Sequence, residues 1–440
     1  MTSQTAAQFS SEKANAQTAG SQFSSFESSS RYSAESSAVS SSSRPTFADL
    51  TTICAGGEIE NFVTPETERE FIEAVREADS CNDSRKIVCG KGRLCIIGGG
   101  SNMLVSDRKF EGTVIRDARN SLDLIVARNS GETQDGCELC DITVPAGVNW
   151  DDFVIRTVEE GFSGIEGLAG IPGTVGAGVV QNIGAYGQEV AGAVKEVHVW
   201  DRETGEEKTL SASQMRFAYR MSVLKKSMYR AAEIPDEKYF PTPKYAVLDV
   251  TYRLKKSECG TVSASQLARA LGAEIGESMP AKQIAQTVVK IRAGKSMLED
   301  PKRYENPWMK GAKTFVSAYD DCEKTDYNRH SCGSFFVNPT LRLEQAGKLP
   351  QEAPRFEAKL PDGSKGVKTS AAWLIEHAGF AKGYRVSPES GASLSTVHTL
   401  AVTNRGNATY AQIIDLAETI RDGVEKYCGI RLIPEPVHIS

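Results

Sequence analysis

The stretch that decides the fold is "RLCIIGGGSNMLVSD", residues Arg93–Asp107. The apolar run Leu94–Ile97 leads into three consecutive glycines and then Ser101 and Asn102, so the sequence predicts a strand that ends in a loop with bare backbone amides. Glycine-rich backbone can approach an anion closely, and clustered N–H groups form an anion-binding nest. A plain tight turn between two strands is the alternative interpretation.

The loop differs from the G-x-G-x-x-G fingerprint of dinucleotide-binding folds, because Met103 occupies the position of the third glycine. The residues that follow predict a turn and a second strand containing Val114 and Ile115. They contain no amphipathic helix of the length that a βαβ crossover needs, so the pattern argues against a Rossmann turn.

Composition limits the function classes. The 440 residues are 40% hydrophobic, which is enough for two or three domains, and the net charge is −6 with both signs interspersed. We therefore expect no nucleic-acid partner, no membrane insertion and a cytoplasmic location, since basic patches, long apolar runs and a secretory leader are missing from the sequence. Cys137 and Cys140 form an isolated C-x-x-C without a partner pair, so no metal is expected.

The order of elements predicts an α+β fold. Residues 1–44 are rich in serine, alanine and glutamine and predict a disordered tail. A helix follows, with Thr64 as its cap and Pro65 in its first turn, and several strands and helices then alternate irregularly. The polar insertion 301–331 has little periodicity, and we assign it no function.

A second glycine-rich stretch, "GIEGLAGIPGTVGAGVVQNIGAYGQEV", spans Gly164–Val190. At least seven glycines at irregular spacing are costly in regular structure, which indicates backbone that comes close to another group. Together with the first loop it predicts two loops that close on one large flat ligand with a phosphate. Scaffolding loops remain the alternative from these residues alone.

Five motifs in order resemble the UDP-N-acetylenolpyruvoylglucosamine reductases of bacterial peptidoglycan synthesis, in their long form. The motifs are "GGGSNMLVSD", "GIPGTVGAGVVQNIGAYG", "FAYRMSVLKK", "CGSFFVNP" and "KTSAAWLIEHAGF". The resemblance implies an FAD-binding fold of the vanillyl-alcohol-oxidase (PCMH) type with two subdomains and a C-terminal α+β substrate-binding domain. The implied boundaries are 45–117, 118–295 and 296–440.

The resemblance also implies the cofactors and the reaction. Non-covalent FAD would be held by Gly98, Gly99, Gly100, Ser101, Asn102, Ile171, Pro172, Gly173, Gly176, Asn182 and Tyr219. The family reduces the enolpyruvyl ether of UDP-N-acetylglucosamine enolpyruvate to a lactyl ether with NADPH as hydride source, a step of cell-wall biogenesis. We expect a monomer.

Three residues receive catalytic roles from the same resemblance. Ser334 would donate the proton that follows hydride transfer, while Arg220 and Glu435 would hold and polarise the substrate carboxyl group. Arginine suits this role because its planar fork pairs bidentately with a carboxylate. A glutamate there must carry or share a proton, which requires a raised pKa.

Substrate contacts are implied for Lys295, Asn338 and His377. His377 stands where glutamine or arginine is common in the family. A tyrosine that stacks on the substrate nucleotide is also expected, yet the corresponding stretch "TVSASQLARAL" holds no aromatic residue. We therefore expect nucleotide affinity to depend on Lys295 and the phosphates.

Two other functions compete with this interpretation. An oxidase of the same flavin fold would act on an alcohol or phenol with oxygen, and many such enzymes tether flavin through histidine. Neither glycine loop contains a histidine. A non-catalytic flavin or nucleotide binder is the second alternative, and the joint presence of Arg220, Ser334 and Glu435 argues against it.

Overall fold

The computed structural model describes residues 44–83, 87–88, 90–122, 125–127, 130–133, 136–228, 241–315, 325–360 and 362–439. The predicted serine-rich tail lies outside the described residues apart from Arg44, as does the part of the polar insertion between Phe315 and Thr325.

The described residues contain eleven α-helices and four short 3₁₀ turns. In chain order the helices are α1 (Phe47–Leu50), α2 (Glu68–Asp79), α3 (Trp150–Glu159), α4 (Val175–Val180), α5 (Ala212–Met215), α6 (Val223–Lys226), α7 (Ser265–Leu271), α8 (Ala281–Ala293), α9 (Leu343–Ala346), α10 (Ala371–His377) and α11 (Tyr410–Cys428). The 3₁₀ turns are Glu166–Leu168, Val190–Gly192, Pro301–Glu305 and Pro307–Met309.

The strands of the described residues are mostly short. They are β1 (Ile59–Val63), β2 (Ile87–Val88), β3 (Lys91–Gly92), β4 (Leu94–Ile97), β5 (Met103–Val105), β6 (Phe110–Arg116), β7 (Ile125–Ala127), β8 (Leu139–Pro145), β9 (Phe162–Ser163), β10 (Gly184–Ala185), β11 (Gln188–Glu189), β12 (Val194–Asp201), β13 (Glu206–Ser211), β14 (Tyr245–Lys256), β15 (Cys259–Thr261), β16 (Ser278–Pro280), β17 (Thr340–Leu341), β18 (Phe356–Lys359), β19 (Lys365–Lys368), β20 (Ala392–Leu394), β21 (Val402–Asn404) and β22 (Val437–Ile439).

A three-stranded parallel sheet of order β1-β6-β4 forms the N-terminal part. Helix α2 covers it with an apolar face on which Phe71 and Val75 are fully buried. These side chains share one core with Leu94 of β4 and Ile115 of β6. The sheet therefore fixes the position of the first glycine-rich loop, which follows β4.

The central part is an antiparallel sheet of order β13-β12-β14-β8-β7, with β9 paired to β14. Its core contains the aromatic cluster of Trp150, Phe153 and Tyr252, whose ring centroids lie 5.0–5.9 Å apart. Helices α3 and α8 contribute side chains to the same core. This core supports the second glycine-rich loop, which precedes α4.

The C-terminal part packs α10 and α11 around the hairpin β20–β21, and β17-β19-β18 form a small antiparallel sheet beside it. Phe335 and Phe336 are buried in this core. Strand β22 then pairs in parallel with β5, with Val437 opposite Met103. The chain end thereby returns to the first glycine-rich loop.

Most predicted elements are confirmed, and the mixed order of helices and strands is that of an α+β fold. The predicted cap of α2 is wrong, because Thr67 rather than Thr64 accepts the hydrogen bond from Glu70 N. Glu70 also accepts from the backbone of Thr67, which completes a capping box that Thr64 cannot form. The closing stretch "RLIPEPVHIS" predicts a strand from Arg431 onward, and the structure restricts that strand to β22, Val437–Ile439.

Candidate active site

The first glycine-rich loop lies directly against the second. A Cβ atom at Gly99 would be 2.7 Å from the Cα of Gly173. Gly100 has φ +63°, and a Cβ there would be 2.3 Å from the carbonyl oxygen of Leu50. Only glycine permits both approaches without moving backbone, so these residues set the distance between the loops.

Helix α4 is held against the same loop. Thr174 caps the helix by accepting from Ala177 N, and a Cβ at Gly98 would be 2.7 Å from Thr174 Oγ1. On the other side of α4, a Cβ at Gly176 would be 2.6 Å from the Cβ of Ala146. Gly98 and Gly176 therefore allow the two loops and α4 to pack closely against their neighbours.

The amides of the first loop remain available for a ligand. Within the described residues, the backbone N–H groups of Gly99, Gly100, Ser101 and Asn102 donate no hydrogen bond. Ser101 Oγ donates to Pro172 O over 3.2 Å and ties the two loops together. Successive unpaired N–H groups of this kind form a nest for an anionic group.

A pocket opens between the loops, and its walls are predominantly apolar. Both loops and β22 line it, together with residues of α6 and β14 and with Met228, Pro241 and Pro243. Its polar lining side chains include those of Ser101, Asn102, Asp117, Thr174, Gln181 and Lys225.

The donor set of the pocket fits FAD. The free amides suit the pyrophosphate, and the apolar walls suit a flat ring system. The predicted residues Pro172 and Gly173 line the pocket, whereas Ile171 packs against the core of the central sheet. The second loop thus lines the pocket with residues after Ile171 and uses the Ile171 side chain for core packing.

Arg220 contacts the pocket-lining Lys225, whose Nζ donates to its carbonyl, and has a fixed orientation. Its Nε donates to Glu435 Oε1 over 3.1 Å, and its two terminal nitrogens donate to Asn182 O over 3.3 Å and Gly184 O over 2.9 Å. Its backbone φ is +54°, in the left-handed region. The structure therefore joins two of the three predicted catalytic residues.

Asn182 has a supporting position. It is buried, its Nδ2 donates to Glu189 Oε2 and to Ala218 O, and its Oδ1 accepts from Ala191 N. The side chain predicted to bind FAD is thus fully used within the protein. It fixes the loop that carries the carbonyl partner of Arg220.

Glu435 is held between the glycine-rich loop and the segment that contains Ser334. Its N–H donates to Phe335 O over 2.9 Å, and its carbonyl accepts from Asn102 Nδ2 over 3.3 Å. Burial raises the pKa of Glu435, while Arg220 and Lys225 act in the opposite direction. The net effect favours a carboxyl group that can carry a proton, as the predicted role requires.

Ser334 precedes Phe335, the backbone partner of Glu435, and is half-buried. Its Oγ makes no hydrogen bond to another residue of the described ranges, so the hydroxyl is free to contact a ligand. Phe336 pairs with Pro434 and fixes the strand-like course of both segments. Ser334 is consequently placed beside Glu435 by main-chain pairing.

Tyr219 lies between two cations. The Nζ of Lys368 is 3.6 Å from the centre of its ring and the Cζ of Arg220 is 5.0 Å away. Burial raises the pKa of Tyr219, and the nearby Asn338 acts in the opposite direction. The Oδ1 of Asn338 accepts from Ala371 N at the start of α10. Asn338 therefore lies between Tyr219 and the C-terminal part.

Two lysines near this cluster escaped the sequence interpretation. Lys225 lines the pocket, its Nζ donates to Arg220 O over 3.4 Å, and burial lowers its pKa. Lys368 has a pKa that burial and the nearby Arg220 lower. Lys225 belongs to the motif "FAYRMSVLKK" and Lys368 to "KTSAAWLIEHAGF". The spacing of residues in these motifs does not indicate which lysine points inward.

The remaining predicted substrate contacts lie on a separate surface. Lys295 Nζ donates to Gln266 Oε1 over 3.0 Å. Burial, Lys295 and Lys382 lower the pKa of His398 to about 4, so these basic groups share one environment. His377 is exposed, and its ring stacks on Trp373 with 3.6 Å between centroids. No contact within the described residues joins Lys295 or His377 to Arg220.

Comparison with known families defines the class of protein first. Residues 59–211 match the model of an FAD binding domain, and this range contains both glycine-rich loops. The chain is therefore an FAD-dependent oxidoreductase. Residues 325–439 match the C-terminal domain of UDP-N-acetylenolpyruvoylglucosamine reductase, and this range carries Ser334, Asn338 and Glu435.

Whole-chain relatives identify the family. The chain is 39% identical over 391 residues to the UDP-N-acetylenolpyruvoylglucosamine reductase of Cutibacterium acnes, covering 88% of each chain. It is 37% identical over 400 residues to the enzyme of that name from Thermobifida fusca, covering 89% of this chain and 96% of the relative. The chain belongs to the UDP-N-acetylenolpyruvoylglucosamine reductase family, as the five motifs predicted.

A solved structure supports the fold. The crystal structure of UDP-N-acetylenolpyruvylglucosamine reductase from Thermus caldophilus aligns with a TM-score of 0.53 at 22% identity, covering 90% of this chain and 98% of that one. With the FAD-domain match, this confirms the predicted α+β flavin-binding fold. Among the described helices, none has the length and apolar character to cross a membrane.

Proposed function

We propose that the chain reduces UDP-N-acetylglucosamine enolpyruvate to UDP-N-acetylmuramate in peptidoglycan synthesis, with NADPH as the reductant. The observation that carries the proposal is the Arg220–Glu435 pair, 3.1 Å apart, which contacts Lys225 and Asn102 of the flavin pocket. FAD, when bound, supplies the hydride chemistry. The chain must then bind the substrate carboxylate, stabilise the charge that forms next to it, and deliver a proton.

Arg220 is suited to the first two tasks. A guanidinium has five N–H donors, and the hydrogen bonds of Arg220 to described residues use three, which leaves two for a carboxylate. Lys225 and Lys368 add positive charge around the same carboxyl group. The positive charge of this cluster therefore stabilises the enolate-like negative charge that forms on the substrate.

Glu435 and Ser334 divide the proton chemistry. Because burial raises the pKa of Glu435, it can hold a proton toward the substrate carboxyl group rather than repel it. Ser334 has a hydroxyl without a partner in the described residues and lies next to the main-chain partner of Glu435. We assign it the protonation of the carbon beside the carboxylate.

Lys295 and Asn338 are proposed as substrate contacts of different kinds. The pKa of Lys295 is lowered by burial and by Arg292, as expected for an ammonium whose counter-ion arrives with a diphosphate. Asn338 lies near Tyr219 and Arg220. The exposed His377 fits a nucleotide contact through its stacked ring pair with Trp373.

The test is an NADPH-oxidation assay with and without the enolpyruvyl UDP-sugar, with product identified by mass. Substrate-dependent oxidation and formation of UDP-N-acetylmuramate are expected. NADPH oxidation that needs only dioxygen, together with flavin that survives acid precipitation on the protein, would support the oxidase alternative. A yellow protein that oxidises no NADPH with either acceptor would support a non-catalytic flavin binder.

A further inference from the structure

The first half of the polar insertion packs against both glycine-rich loops. We call its first described part, together with the two residues before it, the insertion segment (residues 299–315). It contains the 3₁₀ turns Pro301–Glu305 and Pro307–Met309. No residue of this described segment lines the flavin pocket. The segment therefore reaches the loops from outside the ligand site.

The middle of the insertion segment is anchored to the N-terminal part. Met309 is buried in the core that lies beside the parallel sheet. The ring of Trp308 packs edge-on against Phe62 of β1, with 5.8 Å between the ring centroids. Asn306 Nδ2 donates to Asp49 O over 3.3 Å. These contacts fix the course of the segment past α1.

The end of the insertion segment is tied to the second glycine-rich loop through α3. Lys313 Nζ donates to Asp151 Oδ2 over 3.2 Å, and Asp151 Oδ1 accepts from Gly170 N over 2.6 Å. The adjacent carboxylate of Asp152 accepts from Thr314 N over 2.5 Å. Asp151 therefore connects the insertion segment to the backbone of the second loop.

Arg303 joins the insertion segment to the first glycine-rich loop. Its side chain is 7% exposed, and its Nη2 donates to Gly99 O over 2.7 Å and to Leu50 O over 2.8 Å. Its Nη1 donates to Glu299, which also accepts from the hydroxyl of Tyr304 over 2.7 Å. The guanidinium is therefore held by its own segment, and its charge is paired there.

These bonds determine where the amides of the first loop point. In a planar trans peptide, the C=O of one residue and the N–H of the next residue point in opposite directions. Arg303 binds the carbonyl of Gly99, and Thr52 N donates to the carbonyl of Gly100 over 3.2 Å. The N–H groups of Gly100 and Ser101 are therefore turned away from these two donors. Both residues line the pocket, and neither N–H donates a hydrogen bond within the described residues.

We propose that Arg303 is a positioning residue for FAD, which holds the Gly99–Gly100 peptide with its N–H available to the pyrophosphate. A charged donor on the carbonyl also polarises the peptide, which makes the N–H on its other side a stronger donor. Because Glu299 pairs with the guanidinium, the contribution passes through this peptide rather than through net charge. The polar insertion thereby acquires a role in cofactor binding. This inference rests on FAD binding and does not depend on the proposed reductase reaction.

The first experiment titrates the full-length apoprotein with FAD and with riboflavin, and follows flavin fluorescence. Arg303→Met should weaken FAD binding at least about ten-fold, because the peptide that donates to the pyrophosphate loses its fixed orientation. Riboflavin carries no phosphate, so its affinity should change less than about two-fold. Equal weakening of both flavins would mean that Arg303 only supports the pocket as a whole, and would overturn the proposal. Unchanged FAD affinity would overturn it as well.

Two control variants separate this role from general effects. Arg421→Met removes another buried guanidinium, which lies on α11, pairs with Glu418 and donates to Leu432 O over 2.9 Å. It should leave the ratio of FAD to riboflavin affinity unchanged, even where it lowers stability. Lys302→Met removes an exposed charge next to Arg303 and should leave FAD affinity unchanged. A loss in either control equal to that in Arg303→Met would overturn the proposal.

Phosphorus NMR of bound FAD gives a spectroscopic readout of the pyrophosphate itself. Arg303→Lys keeps a cation and N–H donors but has a shorter reach, so we expect FAD affinity between those of the unaltered protein and Arg303→Met. The pyrophosphate resonances of bound FAD should shift in this variant, while the flavin absorption spectrum stays the same. Arg303→Lys also decides the question if Arg303→Met does not fold. Pyrophosphate resonances identical to those of the unaltered protein would overturn the proposal.

Discussion

His330→Gln should remove a pH-dependent part of the free energy of unfolding. In the folded chain burial lowers the pKa of His330 and Asp300 and Cys54 raise it, to about 9, against 6.5 for an ordinary histidine. The two values differ by about 2.5, which at about 1.4 kcal/mol per pH unit corresponds to about 3 kcal/mol.

The sign follows from the number of bound protons. Between pH 6.5 and about 9 the folded protein holds a proton on His330 that the unfolded chain releases. The stabilisation is therefore complete below pH 6.5, declines as the pH rises, and is gone above about 9. Because Cys54 contributes to the raised pKa of His330, the comparison is repeated in the Cys54→Ser background.

The assay is urea unfolding of both proteins with saturating FAD, at pH steps from about 6 to about 9.5. We expect the difference in free energy of unfolding to shrink by about 2–3 kcal/mol across this range. His377→Gln is the control for loss of an imidazole ring, because that exposed ring has no carboxylate partner in the described residues. A flat difference for His330→Gln would refute a protonated ring.

Three further predictions concern the reductase site. Ser334→Ala should leave flavin reduction by NADPH unchanged and slow reoxidation by the enolpyruvyl UDP-sugar about 10²–10⁴-fold in stopped flow, with partial rescue by Ser334→Cys; equal slowing of both steps would mean that Ser334 only supports the flavin site. Lys295→Ala should raise KM at least about ten-fold with little change in kcat. The control Lys290→Ala, on the exposed face of α8, should leave KM unchanged. An unchanged KM in Lys295→Ala would mean that another residue binds the phosphates. Lys225→Met should weaken FAD binding about 10–100-fold in a fluorescence titration, because it removes a charged hydrogen-bond donor from the pocket lining. Equal weakening by Lys226→Met would exclude a specific contact of Lys225.

Local patterns explain why much of the fold could be predicted from sequence. The composition of the glycine-rich loops predicts loops, and the spacing of Phe71 and Val75 predicts α2. Both signals come from residues that are close in sequence. The α2 cap was misplaced because Thr64 and Thr67 are both capping residues, and only the reciprocal bond with Glu70 distinguishes them.

Long-range pairing explains what could not be predicted. The parallel pairing of β22 with β5 joins residues more than 300 positions apart, and no local pattern encodes it. That pairing places Glu435 beside Asn102 and the flavin pocket. The inward turn of Lys225 and the structural use of the Asn182 side chain likewise depend on partners distant in sequence.

The orientation of Arg220 rests on backbone that the chain holds under strain. Arg220, Asn182 and Tyr186 have φ values of +54°, +51° and +47°, a conformation that costs about 1–3 kcal/mol for a residue with a side chain. The bonds from Asn182 Nδ2 to Ala218 O and from Arg220 to the carbonyls of Asn182 and Gly184 tie these strained positions together. Because the guanidinium is fixed before any ligand arrives, little reorganisation accompanies charge formation on the substrate, and that is the condition under which an electrostatic group contributes most to rate.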